Sequence, residues 1–556
     1  MYGTDAIGGV INVITRSSQR RDTFGVNGAT RFAYDSAQGL LRGGGMVDVG
    51  GENYGLVMGG SYTSAGDPTL PGNAVAPGGA FTNQGFWGKF DFYSADNVRW
   101  RLLGNFSKDT DVAISNTTLP LLVPGPLDFN FPLYQRSELG GEVEIRDAQP
   151  WLKVFKAGLY WQQIRRQFDR TSPALVQQTL FGMPTAPRQE SVNVLTNDRV
   201  NTYEFQSHAL MDFGPHEIVV GIDAGLDTAY LPETESRQLT FNPLPPFLPV
   251  VPPFNPAPID RLRADARQYR LGLYAQDTWS VADDWRLIGG VRGDFFDVSD
   301  DVSGFSTTEG GVSGNIAVVY DIRPDWMSYL NLGTGFRSPD LGERFQSTVV
   351  TVVTTQTVLG NPNLSPERSY SAELGSKYEG ENWQVRGAVF VNQVDNFIGT
   401  VQINPLTQQF QNVGNVMFYG TELEATVNPV DRVELFGNVG RTWTSNNQLA
   451  RVANWTFNYG AAYTQPMGGF FDQARLVLFA RTVMRSTDQT TAVDVEYGGF
   501  TTLNLQATFD FSIPSIDTQG SLLLGVSNLA NRSYREPFFN QIQPARSFYT
   551  ALSFQF

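Results

Sequence analysis

The residues best suited to chemistry fall in one short run, FRSPDLGERF, at 336–345. Arg337 and Arg344 each carry a planar guanidinium fork that matches a carboxylate or similar oxyanion. Glu343 and Phe345 stand beside them. Two readings follow: the guanidinium groups bind an anionic ligand, or they orient the loop and its neighbours. Asp297, Asp300 and Asp301 form a second cluster, expected in an external loop. Spaced carboxylates of this kind can hold Ca²⁺, but only part of the necessary oxygen shell is visible, and a solvated acidic loop explains them more simply. Histidine is limited to His208 and His216, cysteine is absent, and the chain contains no HExxH, P-loop or Rossmann fingerprint.

The elements that carry these residues read as strands. In the terminal run SFYTALSFQF, Phe548, Thr550, Leu552, Phe554 and Phe556 share one face, and Ser547, Tyr549, Ala551, Ser553 and Gln555 share the other. Period-2 alternation means a strand with one apolar and one polar face. A terminal strand of this kind would leave an exposed edge, and a closed barrel removes it by pairing the last strand with the first. In 501–513, Leu503, Leu505, Ala507, Phe509, Phe511 and Ile513 oppose Asn504, Gln506, Thr508, Asp510 and Ser512. Around Leu423, Ala425 and Val427, the opposite face carries Glu422 and Glu424. Carboxylates are costly in a dry core but tolerable in a water-filled lumen. Segment 474–481 alternates poorly, with arginine and phenylalanine on one face. Asp277 interrupts an outward face, near one rim of the barrel where charge costs little.

Composition agrees. Charged residues make up 17% and aromatics 13%, with 56 glycines and 21 tyrosines among 556 residues. That balance is unusual for a soluble globule and suits a barrel with a polar lumen and aromatic girdles. No apolar run is long enough for a transmembrane helix. The net charge of −15 argues against a nucleic-acid partner.

Alternating segments recur from Phe24 to Phe556, and 22 strands are expected. An even count suits a single-chain bacterial barrel. The connections alternate by parity. Gly51–Asn53, Ala95–Asp96, Gly214–His216, Ala282–Asp284, Arg323–Asp325, Gly380–Asn382 and Pro429–Asp431 are short. The intervening loops, among them 65–81, 111–136, 172–192, 231–265 and 337–368, are long. Short turns on one side and long loops on the other mark an outer-membrane barrel. Loop 231–265 holds eight prolines between Pro243 and Pro258, which favours a stiff, extended segment.

Several stretches, taken in order, resemble the TonB-dependent outer-membrane receptors of Gram-negative bacteria. YGTDAIGGVINVITR (2–16) resembles the end of that family's plug domain, with Tyr2, Gly3, Ile7, Gly8, Gly9, Val10 and Ile11 carrying the likeness. LYAQDTWSVADDWRLIGGVRGDFF (273–296) resembles a mid-barrel hairpin, while GTGFRSPDLGERF (333–345) and NPNLSPERSYSAELGSKY (361–378) resemble its paired loop motifs. FYGTELEAT (418–426), GVSNLANRSYREP (525–537) and the terminal Phe complete the series. The resemblance implies residues 1–16 as a plug remnant, 17–23 as a linker and 24–556 as an antiparallel β-barrel of the all-β class. Neither a secretory signal nor a TonB box is visible ahead of the remnant, and a reading frame that begins late is the expected explanation.

The resemblance further implies a transporter and not an enzyme. It implies a monomer without cofactor, set in outer-membrane lipid, that imports a scarce nutrient on energy relayed by the TonB complex through the plug. A ferric siderophore is the expected cargo, with cobalamin or haem as alternatives and a plugless passive porin as the alternative class. Haem is the weaker of these, because no histidine lies between Arg337 and Asn361, although tyrosine can ligate haem iron. The loop motif is shared by receptors for unlike substrates, so Arg337, Glu343, Arg344 and Phe345 are expected to orient the loop more than to choose a ligand.

Overall fold

A computed structural model describes residues 15–113, 128–176, 179–180, 183–184, 188–240, 256–345, 347–351, 355–404, 407–490, 494–539 and 541–556. The plug-like stretch 2–14 and most of the proline-rich run lie outside the described residues.

Twenty-two strands form one closed antiparallel barrel, each paired with its neighbours in the chain. The first strand, Gly25–Asp35, meets the last, Ser547–Gln555, with Ala33 opposite Ala551. Beyond the ladder, the Gly28 N–H donates to the Phe556 carbonyl at 2.7 Å and the Phe556 N–H donates back at 3.0 Å. The chain thus leaves no open edge where its ends meet.

Alternation decides what each face touches. On the strand Leu152–Val176, Leu159 is 66% exposed and points to the outside with Trp161. Lys156, Tyr160, Gln162 and Arg166 point to the lumen. The short-turn rim carries Trp100, Trp151, Phe213, Trp279, Trp285, Trp326 and Trp383, all exposed. Trp151 stacks on Phe213, and Trp285 on Tyr320. From Trp151 to Trp161, ten residues on a tilted strand span roughly 25 Å, the height of an apolar band between aromatic girdles. Past Trp161 the outward positions become Gln163, Arg165, Gln167 and Asp169, so the apolar band ends there.

Five consecutive strands, Asp128–Gln149, Leu152–Val176, Arg188–Asp212, His216–Thr240 and Ile259–Ala282, are 22 to 25 residues long. They continue well into the segments expected as external loops at 111–136, 172–192 and 231–265. Hairpin pairing carries on above the band because the backbone groups still need partners there. By contrast, Val433–Thr444, Thr456–Pro466 and Gln473–Val483, about half a turn of the barrel away, have 11 or 12 residues.

Many glycines sit across the ladder from tyrosines. Gly221 faces Tyr274, Gly375 faces Tyr329 and Gly525 faces Tyr549. In each pair the ring lies over the glycine, where a Cβ would come within 2.5 Å of it. This packing accounts for part of the joint richness in glycine and tyrosine.

Candidate functional site

The run 336–345 forms a knot at the long-loop end. Strand Trp326–Arg337 stops at Arg337, and a five-residue helix, Leu341–Phe345, follows. The Glu343 N–H donates to Asp340 Oδ1 at 2.7 Å, and the Asp340 N–H donates to Glu343 Oε2 at 3.0 Å. This reciprocal pair is a capping box, which lets so short a helix start cleanly.

Arg337 bridges the two ends of the loop. Its two terminal nitrogens each donate to Glu343 at 2.9 Å, and Nε donates to Glu367 at 2.5 Å. Glu367 opens the next barrel strand and also accepts the Ile398 N–H at 2.6 Å. Arg344 is 1% exposed. Its guanidinium pairs with Glu309 and donates to the carbonyls of Pro362 at 2.7 Å and Leu364 at 3.3 Å. The Ser338 hydroxyl donates to the other Glu309 oxygen at 2.8 Å. Phe345 packs edge-on against Phe305 and against a buried cluster that includes Ala229, Ala266, Val298 and Leu341.

The four residues singled out in the sequence therefore come together. Glu309 and Glu367, which complete their ion pairs, had not been singled out. Both guanidinium groups are committed to carboxylates of the chain itself. Displacing a buried carboxylate in favour of a ligand would leave an unpaired charge behind, which is costly. The geometry therefore favours loop orientation over ligand contact.

The acidic cluster behaves differently from the expectation. Asp297 and Asp300 belong to the strand Trp285–Asp300 and not to a loop. Asp300 is buried and accepts the N–H groups of Asp265 and Ser303 at 2.9 and 2.8 Å, while Asp301 pairs with Arg267 at 2.9 Å. Asp300 thus closes the turn, and among the described residues no group of carboxylates and histidines is arranged to hold a metal ion. His216 is the first residue of its strand, whereas the sequence suggested a turn. Its Nδ1 lies 2.7 Å from Asp277 and its ring stacks on Trp279, on the outward rim.

A second polar region lines the lumen near the start of the chain. Residues 15–22 run along the inner wall. The Ser18 hydroxyl donates to Asp91 at 2.5 Å, the Gln19 N–H donates to Asp48 at 3.3 Å, and Lys89 Nζ donates to the Thr15 carbonyl at 3.1 Å. Asp48 and Asp91 are completely buried. Arg101 grips Asp91 through two bonds of 2.7 and 2.8 Å, and Lys156 and the Tyr160 hydroxyl both reach Glu142. Alternating charges thus clothe the wall that this segment follows. Glu422 and Glu424 stand on the lumen side as well, opposite the exposed Leu423. The poorly alternating 474–481 resolves similarly: Leu476 and Leu478 face out, and inward Arg475 and Arg481 pair with Glu434 and Glu536.

Residues 86–529 match the family model described as TonB dependent receptor-like, beta-barrel. An uncharacterized TonB-dependent receptor of Haemophilus influenzae is 27% identical over 187 residues, covering 32% of this chain and 49% of that protein. The match thus spans about half the length of this curated relative. Among solved structures, the copper transporter OprC superposes with a TM-score of 0.77 at 17% identity, over 97% of this chain and 82% of that one. The ferric citrate transporter FecA gives 0.69 at 15%, over 100% and 82%. The ferric yersiniabactin uptake receptor FyuA from Yersinia pestis gives 0.68 at 16%, over 100% and 83%. At these identities the solved structures speak for the fold alone.

Proposed function

Since the chain belongs to the TonB-dependent receptor family, we propose that it imports a scarce nutrient, a ferric siderophore, across the outer membrane of a Gram-negative cell. One observation supports this reading above the others: a wide closed barrel whose inner wall is dressed with paired charges where residues 15–22 run along it. A water-filled lumen lined this way offers a plug many polar contacts that can break and re-form without exposing apolar surface. Energy would reach the plug through the TonB complex, and external loops held by knots such as that around Arg337 and Arg344 would present the ligand to it. The barrel would act as a monomer in outer-membrane lipid, without covalent chemistry.

The experiment is direct binding. The purified full chain in detergent is titrated with ferric citrate, ferric catecholate and ferric hydroxamate complexes, with haem and cobalamin alongside. Saturable binding of one ferric complex supports the reading. Tight haem or cobalamin binding with no ferric complex bound overturns it. Steady, large conductance of the same chain in planar bilayers would favour the passive-porin alternative instead.

A further inference from the structure

The inner face of the long-strand wall carries a separate group of guanidiniums, above the apolar band and sharing no residue with the Arg337 knot. They line a cavity of about 310 Å³. Most are matched. Asp198 takes Arg166 at 2.7 Å and also Arg263. Glu235 takes Arg237 at 2.6 Å and Arg261 at 3.3 Å.

Arg170 differs. It lines the same cavity and feels the Glu233 and Glu235 carboxylates from a distance, yet its side chain makes no ion pair within 4.0 Å and no hydrogen bond with any described residue, and its Nε is shut off from solvent. A partly buried guanidinium without an acceptor is unfavourable, because its lost hydration is not replaced. The cavity also has an apolar side. Phe131 and Phe168 stand with ring centroids 5.1 Å apart, beside Val194.

We infer that this cavity is a binding site for a carboxylate carried on a flat, apolar ring, with the carboxylate on Arg170 and the ring against Phe131 and Phe168. A guanidinium fork suits a planar carboxylate through two parallel bonds, and an aromatic face suits a ring at little entropic cost. The cavity is large enough for one small ligand or one arm of a larger one. The inference deepens the import reading, on which it rests for its biological meaning, by assigning charge and shape to part of the cargo.

The test uses benzoate as the probe and the purified full chain in detergent micelles, followed by calorimetry. Benzoate is expected to bind saturably, and uncharged benzyl alcohol roughly tenfold more weakly or worse. Arg170→Gln is expected to weaken benzoate by roughly tenfold or more, and Arg170→Lys, which keeps the charge but loses the fork, by less. Arg475→Gln, on the opposite wall, leaves the affinity unchanged. Circular dichroism checks that each variant is folded, and if Arg170→Gln is not, Arg170→Lys and the benzyl alcohol comparison carry the decision. Equal binding of the two probes, an unchanged affinity in folded Arg170→Gln, or no saturable benzoate binding overturns the site. Benzoate binding without any ferric-complex binding would leave the site standing and remove the ferric-siderophore reading.

Discussion

Gly28 and Phe556 close the barrel together. Their backbones exchange hydrogen bonds of 2.7 and 3.0 Å, and the terminal ring lies so close that a Cβ on Gly28 would stand 2.4 Å from it. The absence of a side chain at 28 and the aromatic at 556 are thus one feature, since the ring occupies the space that the glycine leaves.

Gly28→Val forces that ring away or bends the first strand. A loss of about 1–3 kcal/mol is expected, as for other overpacked sites. Urea titration of the refolded barrel, read by tryptophan fluorescence, measures it. A midpoint equal to that of the unaltered chain would show that the ring is not held there.

Arg344 and Glu309 form a buried pair, so removing one partner strands the other. Arg344→Met alone is expected to destabilise by about 3–5 kcal/mol. The double variant Arg344→Met, Glu309→Leu is expected to recover most of that loss, because two apolar groups leave no unpaired charge. A double-mutant cycle on the same titration decides: purely additive effects would deny the coupling.

Arg337 tests the fork. Arg337→Lys keeps the charge but cannot serve Glu343 and Glu367 in the same geometry. Loop 338–366 is expected to be cut faster by protease in the variant, with global stability lowered by only about 1–2 kcal/mol. Unchanged cleavage would mean that other contacts hold the loop.

Membrane position is tested by two arginine scans. Leu159→Arg places charge inside the apolar band and is expected to cost about 2–4 kcal/mol in lipid vesicles. Gln163→Arg lies past Trp161 and is expected to cost about 1 kcal/mol or less. Equal costs at the two positions would shift the band from where the aromatic girdles put it.

Residues 15–22 offer a last check. Asp91→Asn weakens the bonds from both Ser18 and Arg101. Hydrogen exchange at residues 17–21 is expected to accelerate markedly while barrel amides stay protected. Unchanged exchange would show that the segment is held by other contacts.

Much of the fold was legible because lipid imposes alternation. Strands that stop near the edges of the band, such as Trp326–Arg337 and Phe500–Ile513, lie within a residue or so of their expected limits. Strand ends above the band were not legible. Gln163, Arg165, Gln167 and Asp169 face water on the outer side, so no apolar residue is required there and the period-2 signal fades. The knot was half legible. Its arginines stood out as a motif, but Glu309 and Glu367 lie 35 and 30 residues from their partners. Glu309 sits on a strand where an inward carboxylate looks like any other lumen group, and Glu367 lies within the 361–378 motif without any sign of which arginine it meets. Arg170 was not legible at all, since what distinguishes it is that its side chain has no bonded partner among the described residues in three dimensions.

The unequal strand lengths give the barrel a mouth with a parapet on one side. Five strands rise past the bilayer there, while the facing strands finish close to it. The barrel wall itself is thus uneven in height around its axis. The inner surface of that wall is a continuous hydrogen-bonded sheet, and it is the surface that bears Arg170.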